Sequence, residues 1–303
     1  MRNAPFATTL LALLLASLTG ACAATDAGAA ARKEAAASSQ TAPEAAPPRL
    51  AQPLELRVLS WNIRHGRGLD DRVDLERIAT VVAAANADVV LLQEVDRSTR
   101  RSGGVDQAAW LGERLGMHSK FGAFMPFDGG EYGLAILSRW PLTQVENLLL
   151  PPGRHEPRTS LAASIRAPIA GAPSIRFYNV HLDWLDEDSN RYAQARSLLD
   201  QISGDVARRD HGASAVLGGD FNDVAGSRTI DLVAGRYAQA GGAAEGSGAR
   251  VSSGATFPSD APSKEIDFVF VEPGGRLRAG PAEAIDARGA SDHRPVLAII
   301  IAE

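Results

Sequence analysis

Apolar and polar residues alternate over residues 54–63, where Leu54, Leu56 and Val58 lead to Trp61 and Ile63. A period of two predicts a strand with one buried face. Over residues 74–85 the period changes, and Leu75, Ile78, Ala79 and Val82 fall at helical spacing. Residues 88–95 are a short apolar run ending in charge, the pattern of a buried strand. A short helix is predicted over 108–115, then strands over 132–138, 142–149, 159–165 and 175–181. The longest predicted helix covers 191–209, with Ala195, Leu198, Leu199 and Ile202 on one face. Residues 213–217, 266–271 and 295–301 complete the strands. Strands outnumber helices, and several neighbouring strands have no helix between them. That predicts a layered α/β domain with mixed, largely antiparallel sheets rather than a regular parallel wind.

The first fifty residues read differently. Met1-Arg2 precedes an apolar stretch from Phe6 to Leu18, followed by Thr19-Gly20-Ala21-Cys22-Ala23-Ala24. A positive start, a short apolar core and small residues after it predict a secretory signal over 1–23. The stretch is shorter than the ~20 residues a bilayer-spanning helix needs. Two processing routes stand open. Ala21-Cys22-Ala23 fits ordinary small-x-small cleavage. Leu18-Thr19-Gly20-Ala21-Cys22 resembles a bacterial lipoprotein box, with its Leu one position upstream and Cys22 carrying the lipid. Residues 24–53 are Ala, Pro, Ser and Thr with scattered charge, which predicts a flexible linker. Residues 54–303 then form one large domain. The expected location is outside the cytoplasm, as a periplasmic protein, a membrane-anchored lipoprotein or a secreted one.

Composition changes this picture in three ways. With 45% hydrophobic and 22% charged residues, the chain is neither wholly disordered, nor collagenous, nor a multi-span membrane protein. Its single cysteine, Cys22, excludes an intramolecular disulfide. Residues 54–303 carry 27 basic and 33 acidic side chains, so their net charge of −6 argues against holding nucleic acid by bulk charge.

The polar residues with chemical potential fall where apolar strands end: Asn62, Glu94, His181, Asp220, Asn222, Asp267, Asp292 and His293. Strand ends on a rigid scaffold are where sites are commonly built. Singly, each is ordinary. An Asn at a strand end is usually a turn residue, and Asp220 with Asn222 reads equally well as an Asx turn. The glycines of Gly218-Gly219 permit a close approach by a ligand or another group. Asp267 lies inside an apolar strand, where a carboxylate needs a partner, and a histidine is a natural one.

Together they are specific. The ordered set Trp61-Asn62-Ile63, Leu92-Gln93-Glu94-Val95, Asn179-Val180-His181-Leu182-Asp183, Gly218-Gly219-Asp220-Phe221-Asn222-Asp223, Ile266-Asp267-Phe268-Val269-Phe270 and Ser291-Asp292-His293-Arg294-Pro295-Val296 resembles the endonuclease/exonuclease/phosphatase superfamily. That superfamily includes deoxyribonucleases, abasic-site endonucleases, inositol-polyphosphate phosphatases and bacterial neutral sphingomyelinases. Glu131-Tyr132-Gly133 and Thr256-Phe257-Pro258 look most like its exported or stand-alone bacterial branch. Leu134 stands where many relatives have Asn, and Asn179 where many have Thr. Neither departure removes a metal ligand or a histidine.

The resemblance implies a four-layered α/β/β/α sandwich with two packed mixed, mainly antiparallel sheets. It implies divalent-metal phosphoester hydrolysis by in-line attack of water, with Asn62, Glu94 and Asp292 as metal ligands. Oxygen ligands without cysteine suit Mg²⁺, with Mn²⁺ as the alternative. Asp220 becomes the base, and Asn222 orients the water or a phosphoryl oxygen. His181 and His293 donate to the non-bridging oxygens, Asp267 holds His293, and Tyr132 adds a hydroxyl donor. A monomer with no obligate protein partner is expected. Arg64, His65, Arg154, Arg158, Trp184 and Lys264 flank the motifs as substrate contacts or solvated side chains, as do Arg97, Arg100 and Arg101 in a polar loop over 96–107. The leading expectation is an exported phosphodiesterase or phosphatase acting on small molecules or lipid head groups. An extracellular nuclease and a non-catalytic binding protein are the competing ones. The intact chemical set disfavours the last, since a binder needs no such groups.

Overall fold

The computed structural model describes residues 50, 52–167, 171–185, 187–209, 213–241 and 252–303. The signal expected at 1–23 and nearly all of the linker expected at 24–53 lie outside the described residues. In chain order the first elements are β1 (Leu54–Asn62), α1 (Leu75–Ala85), β2 (Val89–Arg97), α2 (Gln107–Leu115), β3 (His118–Phe127), β4 (Gly130–Ser138) and β5 (Thr143–Leu149). There follow β6 (Thr159–Arg166), β7 (Ser174–His181), α3 (Ser189–Arg209), β8 (Ser214–Asp220), α4 (Arg228–Ala234), β9 (Ala238–Gln239), β10 (Asp267–Val271), β11 (Leu277–Ala284) and β12 (Val296–Ala302). Among the described residues no helix is long and apolar enough to cross a membrane.

Two six-stranded sheets share one plan. The first has the order β11-β12-β1-β2-β4-β3 and the second β5-β6-β7-β8-β10-β9. Each holds one parallel pair at its centre, β1 with β2 and β7 with β8, and is otherwise antiparallel. A parallel pair needs a crossover connection, and α1 and α3 are those crossovers. Helix α1 starts where the Asp74 side chain accepts the Arg77 N–H at 3.2 Å, and stops at Asn86 in the left-handed conformation.

Three apolar cores make the layers. Between the sheets, Val58, Leu91 and Ile136 meet Leu161, Phe177, Val216 and Val269. Outside the first sheet, Leu59, Trp61, Val90 and Leu92 pack under Ile78, Val82 and Leu111 of α1 and α2. Outside the second, Tyr178, Val180, Ala215 and Leu217 pack under Leu198, Leu199, Ile202, Ile230 and Val233 of α3 and α4. The order is therefore helix, sheet, sheet, helix. Central strands covered on both faces need unbroken apolar runs, which is why β2 and β8 read so plainly in the sequence.

Elements at the margins escaped the pattern for physical reasons. Strand β3 is an edge strand whose side chains are mostly half-exposed, and it contains Gly122 and Pro126. Strand β11 is the opposite edge, and its register shifts between Ala279 and Ala282 around Gly280-Pro281. Helix α4 has seven residues, too few for a period to show. The Gly218-Gly219 pair serves the scaffold rather than a ligand. A Cβ on Gly219 would lie 2.0 Å from the Val180 carbonyl oxygen, and one on Gly218 would lie 2.8 Å from the Leu91 side chain across the sheets.

One buried amide ties the sheets together directly under the site. Asn179 accepts the Gln93 Nε2 amide at 2.7 Å and donates to the carbonyls of Leu92 (2.8 Å) and Ala135 (2.9 Å). The Asn that replaces the more usual Thr is thus a bridge between β7 and strands β2 and β4. Asn179→Ala removes three buried hydrogen bonds at once. Urea denaturation of the full chain should show it losing about 2–4 kcal/mol of unfolding free energy. A loss under about 0.5 kcal/mol, typical of a surface substitution, would remove this role.

Candidate active site

The carboxyl ends of both parallel pairs deliver polar side chains to one crevice. Asn62 ends β1, His181 ends β7 and Asp220 ends β8, with His181 and Asp220 level in the register. Asp267 opens β10 opposite Asp220. Asp292 and His293 lie in the loop before β12. Glu94 reaches the crevice by a different device. The pairing of β2 with β4 breaks between Leu92 and Val95, and Glu94 adopts φ 55° within that bulge. A bulge re-aims one side chain without disturbing the strand beyond it.

Hydrogen bonds then fix the set. Asn62 Nδ2 donates to Glu94 Oε1 at 3.2 Å and to Asp220 Oδ2 at 3.0 Å, joining carboxylates from opposite sheets. Asn62 Oδ1 accepts the Arg64 N–H at 3.0 Å. Asp267 Oδ2 lies 2.9 Å from His293 Nδ1, the pairing expected from the sequence motifs. The imidazole Nε2 atoms of His181 and His293 stand 3.6 and 3.7 Å from Asp220 Oδ2. Asp220 Oδ1 accepts the Asn222 N–H at 2.9 Å, an Asx turn, and Asn222 Nδ2 donates to the Leu182 carbonyl at 3.0 Å. Trp61 Nε1 donates to the His293 carbonyl at 3.0 Å and Ser291 Oγ to the Asn62 carbonyl at 2.7 Å, so the loop before β12 is bolted to β1. The Phe257 ring packs 4.9 Å from the His293 ring.

Burial and charge split the two histidines. Burial, with the Arg158 and His293 charges, holds His181 well below its ordinary value, so it is neutral. Burial also works against a charged His293, but the carboxylates of Asp267 and Asp220 outweigh it and raise the imidazole to about 10. Burial pushes Asp220 up to about 7, helped by Asp267 and opposed by His293. Burial likewise raises Glu94, against the Asn62 N–H and with the Asp292 charge. Neighbouring groups pushed apart in this way are how acid and base roles are divided.

Asn62 has its oxygen on Arg64 and its amide on two acids, so here it links carboxylates. Asp292 lies 3.4 Å from the Arg64 Nε, and Glu94 is held by the Asn62 amide; these two carboxylates offer oxygens to a cation. The divalent ion implied by the resemblance fits that pair. Both offer hard oxygens, and the Asp292 charge adds to the burial that raises the Glu94 carboxyl, so a cation between them would be favoured. Side-chain atoms of Asp220, Asp267 and His293 also lie within 4.8 Å of one another, but Asp267 and His293 face each other in a hydrogen bond. Tyr132 is buried, with the Phe124 ring 4.8 Å from its own and the Arg101 guanidinium 5.0 Å over it.

The flanking residues sort by burial. His65 and Arg158 are buried, and Arg64 is tied to Asp292. Arg154, Trp184 and Lys264 are exposed. Arg158 pairs with Glu156 at 2.7 Å and keeps its buried Nε without a partner. Sequence reasoning missed Ser291 and Gln93 as supports. Both lie within the quoted motifs, beside residues that carry chemistry, and only tertiary contacts reveal what they brace.

Comparison with known proteins agrees with this geometry. The family model described as "Endonuclease/Exonuclease/phosphatase family" matches residues 59–293. The chain is 25% identical over 261 residues to the uncharacterized protein YbhP of Escherichia coli K12, covering 84% of this chain and 99% of that one. It shares its fold with the Bacteroides thetaiotaomicron mannosyl-6-phosphatase Bt3783 at a TM-score of 0.61 and 20% identity, over 81% of this chain and 99% of that chain. It is similar in the same way to the human Nocturnin catalytic domain with bound sulfate, at 0.63 and 20%, over 85% and 99%. The chain belongs to the endonuclease/exonuclease/phosphatase family of phosphoester hydrolases.

Proposed function

We propose that this is an exported hydrolase, dependent on Mg²⁺ or Mn²⁺, that cleaves a phosphoester of a small molecule or lipid head group by in-line attack of water. The observation that carries this reading is Asp220, buried between two imidazoles at 3.6 and 3.7 Å. A carboxyl poised near 7 is matched to taking a proton from water at neutral pH. Asp220 accepts that proton as the water oxygen bonds to phosphorus. His293, kept protonated by Asp267, donates to a non-bridging oxygen as charge gathers there. Neutral His181 holds a second phosphoryl oxygen or the water, and the Arg158 guanidinium behind it adds positive charge. The P–O bond to the leaving group then breaks, and the departing oxygen takes a proton to leave as an alcohol. Glu94 and Asp292 would hold the divalent ion, which supplies Lewis acidity at the phosphoryl and leaving oxygens.

Charge pairing supports a small substrate over a duplex. Around the site Arg64 faces Asp292, Arg97 Glu131, Arg100 Asp128, Arg101 Asp96 and Arg158 Glu156. Backbone tracking along nucleic acid calls for open positive charge, and these guanidiniums are already matched. Bt3783 is a mannosyl-6-phosphatase and the Nocturnin domain carries a bound sulfate, both consistent with a tetrahedral anion in such a crevice. Export rests on the signal pattern over 1–23, with Cys22 as the attachment point if lipidated.

Purified protein with Mg²⁺ should release product from p-nitrophenyl phosphate, bis-p-nitrophenyl phosphate or sphingomyelin, and EDTA should stop it. Turnover confined to plasmid DNA would transfer the assignment to a nuclease. Asp220→Ala and His293→Ala should each lower kcat by about 10²-fold or more while keeping the fold; near-normal kcat in either sinks the mechanism. The pH dependence of stability has a fixed sign. Folded Asp220 titrates near 7 against an ordinary 3.8, so it favours the fold below pH 4, and this contribution is lost as pH rises through 7. In EDTA, Asp220→Asn should therefore denature at higher urea than wild type at pH 8, with the gap closing toward pH 4. A gap independent of pH would contradict the assigned titration.

A further inference from the structure

The ladder between β7 and β8 ends where His181 lies level with Asp220. Two bonds carry it slightly further. The Leu182 N–H donates to the Asp220 carbonyl at 3.0 Å, and Asn222 Nδ2 donates to the Leu182 carbonyl at 3.0 Å. Past them both chains leave the sheet, and Asn222 takes a left-handed φ of 51°. A non-glycine residue keeps such a conformation only where its surroundings hold it. Among the described residues no further backbone hydrogen bond joins the two segments there. Side chains from the start of α3 take over. Arg191 is buried, and its Nη1 donates to the carbonyls of Asp183, at 3.3 Å, and Leu185. Its Nε donates to Asp223 Oδ2 at 3.3 Å. One guanidinium therefore spans the segment after His181 and the turn that carries Asp220 and Asn222. Gln194 lies three residues on, fully buried; it accepts the Asp183 N–H at 2.9 Å and donates to the Pro151 carbonyl at 3.1 Å. The buried Asp183 carboxylate accepts Asn190 Nδ2 at 2.8 Å and the Arg154 N–H at 3.2 Å. The loop between β5 and β6, which leads to Arg158, is thus tied to the same point.

We propose that Asp183, Arg191 and Gln194 are positioning residues that clamp three segments into one unit: the β5–β6 loop, the segment after His181 and the turn from Asp220 to Asp223. The clamp sets how His181, Asp220 and Asn222 face the phosphoryl group. This rests on the hydrolase reading above and adds to it the residues that keep its reacting groups in register. The choice of side chain has a physical reason. A planar guanidinium presents several donors in a fixed fork, so one group can reach acceptors on two chains at once. Its charge is too costly to bury alone, and Asp223 offsets it. The helix is suited to the task as well. As the crossover between β7 and β8, α3 starts directly after the segment it must hold. The three residues act through the backbone, so their loss would misplace the reacting groups without removing any of them. A misplacement of about 1 Å can cost about 10²-fold in rate.

The test measures turnover and urea denaturation together on the full chain with Mg²⁺, using whichever of p-nitrophenyl phosphate, bis-p-nitrophenyl phosphate and sphingomyelin the wild type cleaves. Arg191→Ala should lower kcat by about tenfold or more and leave KM within about threefold of wild type. Arg191→Lys keeps a charge for Asp223 but loses the fork, so its kcat should fall between the two. Gln194→Ala is a second clamp variant, read by the same criteria as Arg191→Ala should that protein fail to fold. Ile202→Ala, about 16 Å further along α3, is the control for stability alone. It opens a cavity in the core under the helix and should denature at lower urea with kcat unchanged. A kcat within about threefold of wild type in the clamp variants, a loss that falls in KM instead, Arg191→Lys no better than Arg191→Ala, or an equal kcat loss in Ile202→Ala would each overturn the clamp. Any of these outcomes leaves the hydrolase reading intact, because the wild type is active in all of them. No turnover of the three esters by folded wild type overturns the hydrolase reading and the clamp with it.

Discussion

A single amide holds two like charges from opposite sheets at the bottom of one crevice. Asn62 donates to Glu94 of the first sheet and to Asp220 of the second. Without that donor the two carboxylates would be buried within reach of each other with only repulsion between them, a costly arrangement. The rest of the molecule is organised to keep Asn62 there. Its oxygen is tied to the Arg64 N–H, its carbonyl takes the Ser291 hydroxyl, and its neighbour Trp61 is fastened to the His293 carbonyl. The matching plan of the sheets explains how the acids meet at all. Each sheet carries its parallel pair centrally, so both sets of carboxyl ends open on the same side.

The same low-dielectric floor assigns the proton states. His181 and His293 are chemically identical and nearly equidistant from Asp220, yet only His293 faces a dedicated carboxylate. That one contact turns burial from a force that strips the proton into an environment that keeps it. His181, whose Nδ1 has no partner and whose neighbour is a guanidinium, goes the other way. Asymmetry in the supporting residues thus keeps one imidazole protonated and the other neutral.

The layered fold and the identity of the polar set were legible because both follow from periodicity and order along the chain. Buried central strands announce themselves as apolar runs, and the chemical residues follow those runs at their ends. Side-chain direction was not legible. Nothing in the sequence says that the Asn62 amide turns toward acids, or that the Gly218-Gly219 pair accommodates Val180 and Leu91 rather than a ligand. These depend on contacts between residues tens to hundreds of positions apart. The pairing of Asp96 with Arg101 is local, but its meaning depends on Tyr132 beneath it. The edge strands β3 and β11 were lost for another reason. Exposure on one side and interruption by glycine or proline erase the alternation that a sequence reading needs.

The bulge at Glu94 has a consequence for how the chain can vary. Residues before it pair with β4 in one register and residues after it in another, so the extra residue sets which face Val95, Asp96 and Arg97 present. Removing or adding one residue there would exchange the two faces of everything that follows. Val95 would leave its apolar core, the Asp96 carboxylate would lose Arg101, and Glu94 would no longer reach the crevice. The strand can therefore drift in side-chain identity but not in length. An insertion or deletion within residues 92–95 would act on the Glu94 carboxylate, core packing and the Asp96–Arg101 ion pair in a single event.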